Sequence, residues 1–154
     1  MTGQNQLIDR KALLQNRARR VTQQGSFLHD LAIADVQDRL MMVNKSFKDI
    51  VIVTGWADPW AAAFPEARVI EDTDVLDLSV QSCDLIIHAL ALHCANDPVG
   101  QIIQCARNLR PDGLFIAICF GGQTLQELRS SLATAESQIT GGLSPRVLPM
   151  ADLQ

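Results

Sequence analysis

His93 and Asp97, four positions apart, are the residues of this chain whose types and spacing most resemble acid–base chemistry. An imidazole titrates near neutral pH, and a carboxylate within reach can orient it, so the pair could position an acceptor group or take its proton. Asp97 reads equally well as a helix cap, because Pro98 follows it at a first helical position. A second group is acidic: Glu71, Asp72 and Asp74 come directly after Arg68-Val69-Ile70, which places carboxylates at the carboxyl end of a strand. Glycines form a third. Gly55 closes the run Asp49-Ile50-Val51-Ile52-Val53-Thr54, and Gly121-Gly122 break the run Leu114 to Phe120, so each could admit a ligand to the backbone or simply make a turn. Trp56 and Trp60 stand beside Gly55, where they either stack on a ligand or seal a core; sealing is the expectation, since large aromatics bury much apolar area. His88, inside an apolar run, is read as structural.

These residues need elements to position them. Asp9 to Arg20 is helical and basic, and Ser26 can cap a second helix with Leu28, Ala32, Val36, Leu40, Val43 and Phe47 at three- and four-residue spacing. Residues 49–55, 68–71, 83–90 and 114–120 read as strands, the first in the form of one buried on both faces of a parallel sheet. Trp60 to Phe64 offers at most about two helical turns before Pro65. A helix starts after Asp97 with Val99, Ile102, Ile103, Ala106 and Leu109 as its buried stripe, Arg107 and Arg110 near its C-terminus, and Pro111-Asp112-Gly113 as the following turn. Thr124-x-x-Glu127 reads as a capping box for a last helix facing inward through Leu125, Leu128, Leu132 and Ala135, with Gly141-Gly142 ending it. Alternating strands and helices predict an α/β, Rossmann-like, mainly parallel sheet with helices on both faces, preceded by two N-terminal helices. Ligands then belong at the carboxyl ends of the strands.

The chain's 154 residues suit one domain, divided as a helical segment over 1–48 packing on a core over 49–154. A net charge of -4 argues against a nucleic-acid partner. The local cluster Arg10, Lys11, Arg17, Arg19 and Arg20 could meet an acidic partner, although solvated helix faces are the expectation. Four cysteines without a C-x-x-C pair argue against zinc and for a reduced cytoplasm. No apolar run is long enough to cross a bilayer, so no membrane partner is expected.

From Asp84 the string DLIIHALALHCANDPVGQIIQCARNLRPDGLFIAICFGGQTLQELR, followed by GGLSPRVLPMADL, resembles a class I S-adenosylmethionine-dependent methyltransferase-like family. That family includes complex I assembly factors, the closer likeness, and biotin-pathway methyltransferases. L-x-L-H followed by N-D, R-P-D-G, G-G-x-T-L-x-E-L-R and G-G-x-S-P occur in order between Leu90 and Pro145, and Ile8-Asp9-Arg10 with Phe27-Leu28 extend the likeness toward the N-terminus. The resemblance implies S-adenosylmethionine as cofactor, a small-molecule or protein acceptor, and no metal. It implies cofactor contacts at Thr54, Gly55, Asp72, Thr73, Ala89 and Leu90, with Asp72 beside the adenine and Glu71 as ribose acid in a second register. Substrate contacts are implied at Gly121, Gly122, Glu127 and Arg129.

The departures are as informative. Relatives follow the first strand with an acid and G-x-G, whereas here Thr54-Gly55-Trp56-Ala57-Asp58-Pro59-Trp60 has one glycine. Between Gly55 and Ala67 a βα unit is expected to be missing, and this sequence is expected to lack the C-terminal strands of the full fold. Two readings follow: a methyltransferase with an undetermined acceptor, and a non-catalytic binding or assembly protein of the same fold. Hydroxylation is a third chemistry suggested by relatives. The apolar run 114–120, lacking a charged or proline gatekeeper, predicts a homodimer or a longer polypeptide that covers its edge.

Overall fold

The computed structural model describes residues 6–19, 25–144, 146–148 and 150. They fall into two compact units, 1–119 and 120–154. In the first, β1 (Ile50–Thr54), β2 (Arg68–Ile70), β3 (Cys83–Ala89) and β4 (Leu109–Ile118) make one parallel sheet in the order β2-β1-β3-β4. β1 and β3 are central because almost every side chain on both of their faces is apolar and buried, which requires cover above and below.

The cover is supplied on both sides. α2 (Phe27–Met42) and α3 (Ala57–Ala63) bury Ala32, Ile33, Val36 and Trp60 against Ile52, Leu85 and Ile87. On the opposite face Val51, Val53 and Ile86 meet Leu76 and Cys105, the latter from α4 (Pro98–Asn108). The seven residues of α3 are the one helix between β1 and β2, so β2 pairs directly with β1, as the missing βα unit requires. Asp9 caps α1 (Arg10–Ala18), its carboxylate accepting from the Ala12 amide at 2.9 Å. The helical segment over 1–48 thus lies within the same compact unit as the sheet.

Several local expectations are corrected. Ser26 holds the N-cap position of α2 but caps nothing; its hydroxyl donates to Asp30 at 3.0 Å instead. Leu28 and Val43, read as part of the α2 stripe, are exposed, while Ile33 is buried. The expected α4 stripe is reversed. Val99, Ile102, Ile103 and Ala106 are exposed, and the buried positions are Gln101, Cys105 and Asn108. Pro111-Asp112-Gly113 lies inside β4 rather than before it. Cys83 pairs with Leu109 and Leu85 with Leu114, so three extra residues bulge out, with Asp112 in the left-handed region at φ 64.

The second unit holds α5 (Gln126–Thr140). The capping box does not form, because Leu125 turns left-handed at φ 56 and Thr124 donates its hydroxyl to the Gly121 carbonyl, which starts the helix beyond Thr124. Leu125, Leu128, Leu132 and Ala135 are exposed within this unit. Gly141 does end the helix, at φ 71. Arg146-Val147-Leu148 is not a strand, and Pro145 and Pro149 lie outside the described residues. Arg146 is bound to Glu136, and the Leu148 carbonyl accepts from Arg129.

Candidate functional site

Parallel pairing of β1 with β2 ends both strands at the same edge, and a cleft of about 610 Å³ opens there. Thr54 and Gly55 line it from β1, and Glu71 and Asp72 from the end of β2, with Arg10 and Arg17 of α1 above them. Gly55 and Asp72 therefore share one site despite seventeen intervening steps of chain. The cleft contains no tryptophan. Trp60 is fully buried, its indole N–H donating to Nδ1 of His29 at 2.9 Å and its ring stacked on Phe64, while Trp56 packs edge-on against His29.

Asp72 is 2 % exposed and is held by α1. Arg17 donates through both terminal nitrogens, Nη1 to Oδ1 at 2.7 Å and Nη2 to Oδ2 at 2.8 Å, and Arg10 adds a third contact at 3.3 Å. The basic N-terminal cluster is thus no plain solvated face. Two of its arginines have an acidic partner within the chain, while Lys11 and Arg19 are exposed and Arg20 lies outside the described residues. Arg17 also lies over the first-strand glycine, where a Cβ built on Gly55 would collide with the guanidinium. A larger residue here would have to displace that guanidinium from its place beside Asp72.

Burial pushes the Asp72 carboxyl up, but the hydrogen bonds and charge of Arg17, aided by Arg10, outweigh it and hold the group below the usual carboxylate range. A depressed native value contributes stability that is complete above the unfolded value, about 4 for aspartate, and is lost as pH falls through the native one. The stability difference between the wild type and Asp72→Asn should therefore be constant from neutral pH to about 4 and shrink below it. Urea titrations of both proteins across that range check the expectation, and a difference independent of pH contradicts it.

Beneath the cleft an amide ladder fixes the chain after Asp72. Gln101 Nε2 donates to the Thr73 carbonyl at 2.8 Å, which leaves its Oε1 to accept from His88 Nε2 at 2.9 Å. His88 therefore carries its proton on Nε2, and burial, only partly opposed by the Gln101 bond, pushes its pKa down and keeps the ring neutral. Gln104 donates to the Asp74 carbonyl and accepts from the Leu76 amide, at 2.9 and 2.8 Å. Sequence reading missed these glutamines because it assigned the buried face of α4 to apolar residues. Their spacing on one helical face was the available signal.

The other expected site residues are not among those that line the cleft. Ala89 ends β3, paired with Thr54, Leu90 follows it in the left-handed region at φ 49, and neither lines the cleft. Thr73 turns its hydroxyl to the Val75 carbonyl at 2.7 Å. His93 sits in a 3-10 turn, Leu92–Cys94; burial first, then the Arg17 charge, lowers its pKa. Asp97 caps α4 through the Gly100 amide at 2.8 Å and is exposed. Gly121, Gly122, Glu127 and Arg129 belong to the second unit, where Glu127 and Arg129 stand exposed on α5 and Gly122 has φ 55. No group of three or more metal-ligating side chains occurs among the described residues.

Comparison with known proteins agrees with this architecture. A family model described as a methyltransferase domain matches residues 57–117, from the first residue of α3 almost to the end of β4. The mitochondrial arginine-hydroxylase NDUFAF5 of Homo sapiens is 41% identical over 107 residues, which is 70% of this chain and 31% of that protein. Proteins of the same name are 39% identical over 85 residues in Danio rerio, 26% of its length, and 47% identical over 73 residues in Dictyostelium discoideum, 17% of its length. The similarity thus spans about a third or less of these curated relatives. No solved structure matches the chain. The parallel sheet, the two N-terminal helices and these matches support a class I S-adenosylmethionine-dependent methyltransferase-like family, and the chain is similar to NDUFAF5 over the residues matched.

Proposed function

We propose that the cleft beside Gly55 binds S-adenosylmethionine and that the protein transfers its methyl group to a small-molecule or protein acceptor. The observation that carries this reading is a cleft, free of tryptophan, at the shared carboxyl edge of β1 and β2. Its volume of about 610 Å³ is in the range of small-molecule sites. The residues fit the cofactor in kind: Gly55 permits close backbone approach, exposed Glu71 can accept from hydroxyls, and Asp72 offers a second carboxylate. When bound, S-adenosylmethionine supplies an electrophilic sulfonium methyl. The chain's own contribution is to align it with an acceptor, and proximity supplies much of the acceleration. His93, held neutral by burial and by Arg17, is the candidate to take the acceptor's proton.

One observation favours the non-catalytic reading. Both oxygens of Asp72 are already taken by Arg17, which also lies against the single glycine of the loop. A protein that has lost the cofactor would keep such an internal pair. Arginine hydroxylation, in the relatives' name, is a third chemistry, distinguished from methylation by whether the product gains oxygen or a methyl group. We also propose a cytoplasmic location. The four cysteines are free, and no helix among the described residues is long and apolar enough to cross a membrane.

Titration calorimetry with S-adenosylmethionine and S-adenosylhomocysteine tests the proposal. Saturable binding of both, at one site per chain, is expected. A chain that remains folded and binds neither is the binding or assembly protein instead.

A further inference from the structure

We infer that α1 is a latch over the cleft, held shut by the Arg17–Asp72 pair and opened by breaking it. The motive is how little else holds this helix. No residue of α1 is fully buried, and its apolar contribution to the body of the protein is limited to the partly buried Ala12 and Leu13. Its N-terminal attachment is the Ile8 amide, which donates to Asn96 Oδ1 at 2.9 Å, next to the buried Ile8 side chain. Its other end is fastened by the two-pronged bond of Arg17 to Asp72, with Arg10 between. Bidentate charge-assisted bonds of this kind are strong and directional, but they act as a single point of attachment.

The closed form has a consequence for any ligand. Asp72 is 2 % exposed and both its oxygens face one guanidinium, so nothing entering the cleft can bond to it until Arg17 moves. The same movement uncovers the backbone of Gly55, because the guanidinium covers both. One side chain thus controls two walls of the cleft. A ligand that offers Asp72 two N–H or O–H donors replaces what Arg17 gives up, and binding and opening become linked equilibria. This ligand step rests on the cofactor reading; the latch itself does not.

Cys94 reports on the latch without any ligand. It is half-buried and within reach of the Arg17 charge, whereas Cys119 is exposed and Cys83 and Cys105 are buried. Iodoacetamide labelling of the native chain, read per cysteine by mass spectrometry, should show slow Cys94 and fast Cys119 modification in the wild type. Arg17→Ala and Asp72→Asn should each accelerate Cys94 by about ten- to a hundredfold relative to Cys119, the range that charge-assisted hydrogen bonds span.

The two variants push the thiol in opposite electrostatic directions. Losing the arginine raises its pKa, and losing the carboxylate charge lowers it. Acceleration in both is therefore opening. Acceleration in Asp72→Asn with slowing in Arg17→Ala is electrostatics alone and overturns the latch, as does no change in either. If Arg17→Ala exposes Cys83 and Cys105 it has unfolded, and Arg17→Lys, which keeps the charge but not the fork, takes its place: Cys94 labelled faster than in the wild type supports the latch, and an unchanged rate overturns it. Failure of S-adenosylhomocysteine to bind would leave these outcomes untouched, so the two claims fall separately.

Discussion

Trp60→Ala should cost the domain about 3–5 kcal/mol of unfolding free energy, the range for removing a large buried aromatic. Trp60 is 0 % exposed and packs with Ala32, Ile33 and Val36 of α2 over Ile52, Leu85 and Ile87, so its removal opens a cavity between a helix and the central strands. It would also leave His29 Nδ1 without the indole donor. Because a domain's total stability is about 5–15 kcal/mol, such a loss is a large share of it. Trp60→Phe keeps a ring to stack on Phe64 and should lose markedly less. Urea unfolding followed by circular dichroism separates the two. A Trp60→Ala protein as stable as the wild type would mean that Trp60 does not seal this core.

Gln101→Leu should cost about 2–6 kcal/mol, because it strands two groups at once and each unpaired buried polar group costs about 1–3 kcal/mol. The His88 Nε2–H and the Thr73 carbonyl both lose their partner. His88 is 0 % exposed and its Nδ1 already has no hydrogen bond, so water cannot readily replace the amide. The double variant His88→Leu/Gln101→Leu should cost less than the sum of the single ones, since each removes the other's unsatisfied partner. Additive losses in that cycle would show that the two side chains are not coupled.

The sheet was legible because β1 and β3 are uninterrupted apolar runs, and because Asp97-Pro98 before a long stretch without glycine or proline breaks other than Gly100 suits a helix start. The direct pairing of β1 with β2 was legible from the short stretch between Gly55 and Ala67, which leaves room for a single short helix. The faces of the helices were harder to read. Ile102 and Ile103 have the periodicity of a core stripe, yet in the folded chain the loop from Thr73 to Leu76 needs hydrogen-bond partners, and Gln101 and Gln104 meet that need from the opposite face. Periodicity reports apolar spacing and says nothing about where distant backbone groups lack partners. The Arg17–Asp72 pair was hidden for a related reason. The two residues are 55 positions apart, and only the fold of α1 across the strand ends brings them together. Thr124 shows the reverse failure, a correct local motif overridden by a left-handed residue between it and the helix.

The central claim is that the cleft at the ends of β1 and β2 is the ligand site, and amide NMR shifts of the full chain on titration with S-adenosylhomocysteine test it most directly. The largest shifts are expected on Thr54, Gly55, Glu71, Asp72 and the Arg17 end of α1, with β4 and α5 little changed. Shifts centred on α5, or saturating addition with no shift near Gly55 and Asp72, would contradict it.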